Sequence, residues 1–317
     1  MEKLINVVHR TPLTESTTIN RMTGKKVYFK MENQQKTGAF KIRGASYKIS
    51  RLTQEEASKG VIAASAGNHA QGVAYAATKH GIKAKIFMPE KTPDAKIRAT
   101  KSYGAEVVLT GDSFQEAYEA ALLEQKKSNS TFIDPFDDPD VMAGQGTIGI
   151  EMLQQESFID TIIVPIGGGG LISGIAVAAK AIKPDIRIIG VQAEGACATY
   201  NGFYQKGPTK LKQVTTIADG IAVKKPGNHT FPLIQKYVDD IVTVSDVDIA
   251  SAMVYMLERE KTLIEGAGAS AFAALLSKGH QIQSNHCGIV VSGGNMDITK
   301  MPKIQALASQ THLSCLA

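Results

Sequence analysis

Thr161-Ile-Ile-Val-Pro-Ile-Gly-Gly-Gly-Gly-Leu-Ile-Ser-Gly-Ile-Ala-Val-Ala-Ala179 passes from one apolar run, through four consecutive glycines, into another. The run ending at Ile166 reads as a buried strand and the run from Leu171 as the helix that follows it. Gly167, Gly168, Gly169 and Gly170 carry no Cβ, so several backbone N–H groups can turn inward where the helix begins. Such a nest, backed by the positive end of the helix dipole, suits a phosphate. A flexible turn is the plainer alternative, but four glycines at a strand-to-helix junction are costly in backbone entropy, which favours binding.

The spacing narrows the choice of phosphate. A dinucleotide site calls for GxGxxG with an acid about 20 residues on. Here the glycines are contiguous, and Ser173 stands where a third spaced glycine belongs. No stretch matches the GxxxxGK[ST] nucleotide loop. Three further segments point elsewhere. Lys36-Thr-Gly-Ala-Phe-Lys-Ile-Arg-Gly-Ala45 places Lys41 between two glycines, ahead of a helix expected over 44–52. Ala63-Ala-Ser-Ala-Gly-Asn-His-Ala-Gln-Gly72 follows the apolar pair Val61-Ile62 and offers Ser65, Asn68 and exposed amides to a carboxylate. Val290-Val-Ser-Gly-Gly-Asn-Met296 ends an apolar strand in a polar cluster. A nucleophilic lysine, a phosphate nest, a carboxylate loop and a strand-end hydroxyl together suggest pyridoxal 5'-phosphate.

With these segments in view, the chain resembles the α/β fold-type II (tryptophan synthase β-like) pyridoxal-phosphate enzymes. Within them it is similar to the catabolic threonine/serine dehydratases, with serine racemase a near relative. The resemblance rests on KTGAFKIRGA, ASAGNHAQG, AGQGTIG (143–149), VPIGGGGLISG, ADG (218–220), EGAGA (265–269) and VSGGN, in the family's order and spanning nearly the whole chain.

The resemblance implies β-elimination of water from L-threonine and L-serine, giving 2-oxobutanoate or pyruvate and ammonia. Lys41 is then the cofactor lysine and the catalytic base. Gly167 to Gly170 and Leu171 hold the phosphate, and Asn68 bonds the ring's 3' oxygen. Phe40 packs beside the ring. Ser292 faces the pyridine nitrogen, where a hydroxyl gives a neutral hydrogen bond and an aspartate would keep the ring protonated. Ser65, Ala66, Gly67, Asn68 and His69 form the substrate loop, with a role for the His69 side chain beyond its amide left open. Phe136, in Asp134-Pro-Phe-Asp-Asp-Pro139, lines the substrate pocket by family likeness. The three acids of that segment look like a metal loop, but prolines and turn-forming aspartates explain it more simply.

Two departures bear on the reaction. Serine racemases supply a far-face proton from the second serine of Ser-Ser-Gly-Asn-His, and here that position is Ala66. Their acidic divalent-metal site corresponds to Val191-Gln-Ala-Glu-Gly-Ala-Cys-Ala198, where Gln192 and Ala198 replace carboxylates and Glu194 alone is a poor hard-cation site. No metal is expected. Serine racemase and β-hydroxyaspartate ammonia-lyase are the alternative activities, and a non-catalytic pyridoxal-phosphate-binding protein is the remote one.

Composition agrees with a compact α/β protein. The chain has 317 residues, 43% of them hydrophobic, and 29 glycines, enough for two domains of parallel-rich twisted sheets. Strands are expected at 60–64, 84–88, 106–109, 131–133, 161–166, 186–192, 240–244 and 288–292, with helices between them, such as 93–103 and 113–127. The resemblance divides the chain into a large cofactor-binding domain, 1–44 and 143–317, and a small inserted domain, 45–142. Biosynthetic relatives carry a C-terminal regulatory domain, and none is expected after VSGGN; amino-acid catabolism is the favoured role, with isoleucine biosynthesis open. No apolar run of about 18 residues suggests a membrane span, and the N-terminus lacks a signal peptide's apolar core. Cys197, Cys287 and Cys315 show no metal or disulfide spacing, which points to the cytoplasm. The net charge of +5 comes from scattered lysines, not a stripe for nucleic acid. The expected partner is a small hydroxy amino acid, and the expected assembly a homo-oligomer, dimer or tetramer.

Overall fold

A computed structural model describes residues 2–310; Cys315 lies outside them. Residue contacts divide the chain into two compact units. The first comprises the residues up to His9 together with Gln35–Gln145, and the second Arg10–Gln34 together with the residues from Gly146 onward. The division suggested by the sequence differs in placing the residues up to His9, 143–145 and, most extensively, 35–44 with the large domain. In the structure this stretch leads into helix Lys41–Ile49, which packs on helix Asn68–Lys79 of the first unit.

The second unit is built on a six-stranded sheet. Its strands are β1 (Leu13–Glu15), β2 (Lys26–Met31), β7 (Thr161–Pro165), β8 (Arg187–Ala193), β9 (Asp240–Val244) and β10 (His286–Val291), in the order β1-β2-β10-β7-β8-β9. The first unit carries β3 (Val61–Ala64), β4 (Ala84–Met88), β5 (Glu106–Leu109) and β6 (Thr131–Phe132), in the order β5-β4-β3-β6. Every pairing is parallel except β1 with β2. All eight strands expected from the sequence are present, with ends shifted by a residue or two. The near-continuous apolar runs of β7 and β8 follow from burial on both faces: β7 is buried throughout, and β8 throughout after Arg187.

β1 and β2 were not anticipated. β2 reads Lys-Val-Tyr-Phe-Lys-Met, and the charge at Lys30 breaks the apolar pattern. Lys30 is nonetheless fully buried. Its ammonium meets the Glu151 carboxylate at 2.7 Å, the Thr11 carbonyl at 2.8 Å and Gln155 Oε1 at 2.8 Å. A buried lysine survives because a counter-charge and hydrogen bonds replace its water.

The core of the second unit gathers β2, β7, β8, β10 and helices Asp246–Glu258 and Gly266–Lys278 around Phe29 and Phe272, whose rings meet edge to face at 5.2 Å. The AGQGTIG segment is explained by helix packing. Cβ atoms on Gly146 and Gly149 of helix Pro139–Gln155 would press on Gly174 and Ile175 of helix Gly170–Ile182, the former to 2.7 Å from the Gly174 carbonyl. In the first unit, Ala, Val and Ile side chains of helices Lys41–Ile49 and Asn68–Lys79 pack against β3 and β4.

Candidate active site

In the second unit, β7 and β10 are parallel neighbours, with Ile289 opposite Ile163. Extending that register by three residues sets Ser292 opposite Ile166, the residue before the tetraglycine, so both come out at the carboxyl ends of adjacent strands. Ligands of open α/β sheets bind at such strand ends. Gly169 is the N-cap of the 13-residue helix Gly170–Ile182 and has φ +100°, in the region that favours glycine. A Cβ on Gly167 would lie 3.2 to 3.3 Å from Ile221, Gly220 and Val223. The turn therefore accepts no side chain on these faces, and the opening amides of the helix have no acceptor within it. This is the cradle that a phosphate requires. Leu171, the second residue of the helix, is buried.

Ser292 follows the last residue of β10 and is 2% exposed. Two close approaches fix its neighbourhood. The Glu265 N–H donates to the Gly293 carbonyl at 3.1 Å. Gly268, one turn into helix Gly266–Lys278, lies directly on the Gly293 backbone.

In the first unit, Lys41 opens helix Lys41–Ile49. The helix starts three residues before the point expected from the sequence, because the Arg43 N–H already donates to the Phe40 carbonyl at 3.0 Å and the Gly44 N–H finds Gln145 Oε1 at 3.1 Å. Phe40 occupies the N-cap position, and the Lys41 ammonium lies 5.2 Å from its ring centroid. The same ammonium donates to the Pro135 carbonyl at 2.6 Å.

The Ser65–Gly67 turn leaves β3 and runs into helix Asn68–Lys79. Ser65 Oγ accepts the Gly67 N–H at 3.2 Å. A Cβ on Gly67 would project into open space, so a ligand can reach the backbone here. Ser65, Ala66, Gly67 and Asn68 are all half-buried. Gly72, one turn into the helix, touches the Lys41–Ile42 backbone: a Cβ there would lie 3.0 Å from the Ile42 nitrogen. That glycine sets the distance between the lysine and the Ser65–Asn68 turn.

His69 is buried, and its Nε2 lies 2.8 Å from the Ile133 carbonyl. A carbonyl only accepts, so Nε2 carries the proton and Nδ1 is a buried acceptor with no hydrogen-bond partner. Burial, reinforced by the Lys41 charge, pushes the imidazole pKa down to about 3. The side chain is therefore neutral and braces the backbone at Ile133.

Asp134 Oδ1 accepts the N–H groups of Phe136 at 2.9 Å and Asp137 at 2.6 Å, and Asp138 Oδ1 those of Asp140 at 2.8 Å and Val141 at 3.0 Å. Asp138 and Asp140 also pair with Lys48 at 2.8 and 3.4 Å. The acids cap turns, as the prolines and aspartates suggested, and Phe136 sits half-buried at the bend. Among the described residues no group of three His, Cys, Asp or Glu side chains could hold a metal ion. Gln192 Oε1 instead accepts the Tyr200 N–H at 2.8 Å. Cys197 and Cys287 are free thiols, and burial pushes the Cys287 thiol up to about 12.

Lys41 and His69 both rest on carbonyls of one stretch, those of Pro135 and Ile133, which nothing in the sequence marks. Gly72 stood within a quoted motif without a role, as did Gly268.

Known proteins resemble this chain over most of its length. An L-threonine ammonia-lyase of Thermotoga maritima is 49% identical over 301 residues, covering 95% of this chain and 75% of that protein. The catabolic L-threonine dehydratase TdcB of Escherichia coli K12 is 44% identical, covering 96% and 93%. The structure of the processed form of threonine deaminase isoform 2 from Solanum lycopersicum superposes with a TM-score of 0.93 at 40% identity, covering 96% of this chain and 90% of that one. Maize serine racemase superposes at 0.91 with 40% identity, covering 98% and 96%. The model of the family described as "Pyridoxal-phosphate dependent enzyme" matches residues 5–293. A glycine turn at the end of β7, a lysine at a helix start and a similarity that runs nearly the length of the chain have one common account: the chain belongs to the pyridoxal-phosphate dependent enzyme family.

Proposed function

We propose that this enzyme is a threonine/serine ammonia-lyase, which removes water from L-threonine or L-serine and yields 2-oxobutanoate or pyruvate with ammonia. The observation that carries the reading is the pairing of Lys41 with the Ser65–His69 turn: both are held on carbonyls of one loop, at 2.6 Å from Pro135 and 2.8 Å from Ile133. A proton-transfer group and the open backbone face at Gly67 are thus fixed together. The threonine ammonia-lyases at 44 to 51% identity support the choice of substrate.

Bound pyridoxal phosphate supplies an electron sink that makes the substrate Cα–H acidic. Lys41 would hold the cofactor and would serve as the base for that proton. The amides and hydroxyl of Ser65, with Ala66, Gly67, Asn68 and His69 presenting backbone, hold the substrate carboxylate, and the Asn68 side chain bonds the ring oxygen. Gly167, Gly168, Gly169, Gly170 and the Leu171 amide hold the phosphate. Ser292 gives the pyridine nitrogen a neutral partner. Phe40 packs against the ring, and Phe136 borders the substrate.

Serine racemase is the second reading, on the strength of the maize structure. Ala66 has no proton to give, which favours elimination. Among the described residues no helix is long and apolar enough to cross a membrane. A cytoplasmic location and a homo-oligomer, dimer or tetramer, belong to the same proposal.

The test is a keto-acid assay with L-threonine and L-serine on the wild type and on Lys41→Ala. The variant is expected to fold, to bind pyridoxal phosphate noncovalently and to lose at least about 10³-fold in turnover, since it loses its attachment point as well as its base. Turnover near that of the wild type sinks the assignment.

A further inference from the structure

Thr230 has no place in any of the motifs above. It is fully buried at the first position of helix Thr230–Tyr237. Its Oγ1 donates to the Gly168 carbonyl at 2.7 Å and accepts the Gly227 N–H at 3.0 Å. The Gly227 N–H also approaches the Gly168 carbonyl, at 3.2 Å. The Thr230 carbonyl accepts from Ser173 Oγ at 3.2 Å, which ties the residue to the first turn of helix Gly170–Ile182. One hydroxyl proton serves one acceptor, so the Thr230 hydroxyl is committed to the second glycine of the four.

The consequence follows from peptide geometry. The described chain has no cis peptide, and in a planar trans peptide the carbonyl and the next N–H point in opposite directions. Anchoring the Gly168 oxygen toward Thr230 therefore turns the Gly169 N–H away from Thr230, to the opposite side of the turn. A Cβ on Gly169 would lie 2.9 Å from Thr230 Cβ and Oγ1 and 2.8 Å from Ile234 Cδ1. The Thr230 side of the turn is thus closed by protein, and the amide faces the side left to the anion.

We infer that Thr230 is a positioning residue of the cofactor phosphate site: its hydroxyl holds the Gly168 carbonyl and so aims the Gly169 amide at the phosphate. Helix Thr230–Tyr237, with the Gly227 turn before it, acts as a clamp on the glycine turn. This rests on reading the glycines as the phosphate cradle.

The experiment is titration of cofactor-free enzyme with pyridoxal phosphate, read by absorbance, together with the ³¹P resonance of the bound phosphate. Thr230→Val keeps the shape and removes the hydroxyl, and roughly tenfold weaker binding with a shifted ³¹P signal is expected, the size of one lost hydrogen bond. Thr230→Ser restores the hydroxyl and is expected to bind as the wild type does. Thr230→Ala, which adds no atoms, replaces the valine variant if circular dichroism shows the latter unfolded. Unchanged affinity in a folded hydroxyl-free variant overturns the proposal, as does a serine variant as weak as the valine one. Gly169→Ala separates the two levels. If it weakens binding while the hydroxyl-free variant does not, only the role of Thr230 falls. If neither weakens it, the phosphate cradle itself is misplaced.

Discussion

Gly268 lies on the backbone of Gly293, so close that a Cβ at 268 would collide with the Gly293 carbonyl and sit 3.1 Å from its nitrogen. The residue before Gly293 is Ser292. Gly268→Ala cannot be absorbed by a side-chain rotation, because every atom it meets is backbone. Either helix Gly266–Lys278 or the turn after β10 has to move. We expect a stability loss of about 1–3 kcal/mol, typical of overpacking, and a change in the absorption of bound pyridoxal phosphate in the same direction as that caused by Ser292→Ala. A Gly268→Ala enzyme with the wild-type spectrum would separate Gly268 from the cofactor ring.

His69 sets a pH dependence. Burial holds its folded-state pKa down at about 3, against the usual 6.5 of an exposed imidazole. Below pH 6.5 the unfolded chain takes up a proton that the folded chain refuses. The contribution is therefore complete above about 6.5 and is lost progressively as the pH falls toward 3, at up to about 1.4 kcal/mol per pH unit. His69→Gln keeps an N–H donor for the Ile133 carbonyl and does not titrate. Urea unfolding at pH 7.5 and 5.5 is expected to show a smaller loss between the two pH values in the variant than in the wild type. Equal losses refute the neutral, buried assignment.

How much of this the sequence revealed depends on what each residue does. The central strands Thr161–Pro165 and Arg187–Ala193 were legible because burial on both faces demands unbroken apolar runs. β2 was not, because Lys30 disguises a buried strand as a surface one. The start of helix Lys41–Ile49 was hidden by the glycines around it: a backbone bond to Phe40 and a side-chain bond from Gln145, 101 residues away, decide it. Lys41, Asn68, Ser292 and the glycines could be picked out by type and order. What holds them could not. Carbonyls of Ile133 and Pro135 leave no mark in a sequence, and Thr230 and Gly268 act only through contacts made by folding.

The Lys30–Glu151 pair predicts a non-additive pair of mutations. Both side chains are 5% exposed or less. Lys30→Met leaves the Glu151 carboxylate in the core without its cation, and a loss of about 3–5 kcal/mol is expected from breaking a buried pair on one side. Adding Glu151→Met removes the stranded charge, and the double variant should recover a large part of that loss. Denaturant unfolding of the four proteins measures the coupling. Additive losses show that the pair contributes no more than two independent side chains.

The reaction outcome turns on Ala66, which lies half-buried between Ser65 and Gly67 in the turn that leaves β3. A base confined to Lys41 takes the Cα proton from one face and can return it only there. The wild type is therefore expected to form keto acid from L-serine with little D-serine. Ala66→Ser places a hydroxyl in the substrate turn, where a second proton donor on the far face would have to stand. Partial racemization is the expected gain, because the new hydroxyl also requires a proton supply and placement to within roughly 0.5 Å. Chiral chromatography of L-serine incubated with each protein reads the result. D-serine appearing only with the variant confirms single-face chemistry in the wild type. Abundant D-serine from the unmodified enzyme requires another far-face donor and moves the assignment to racemase.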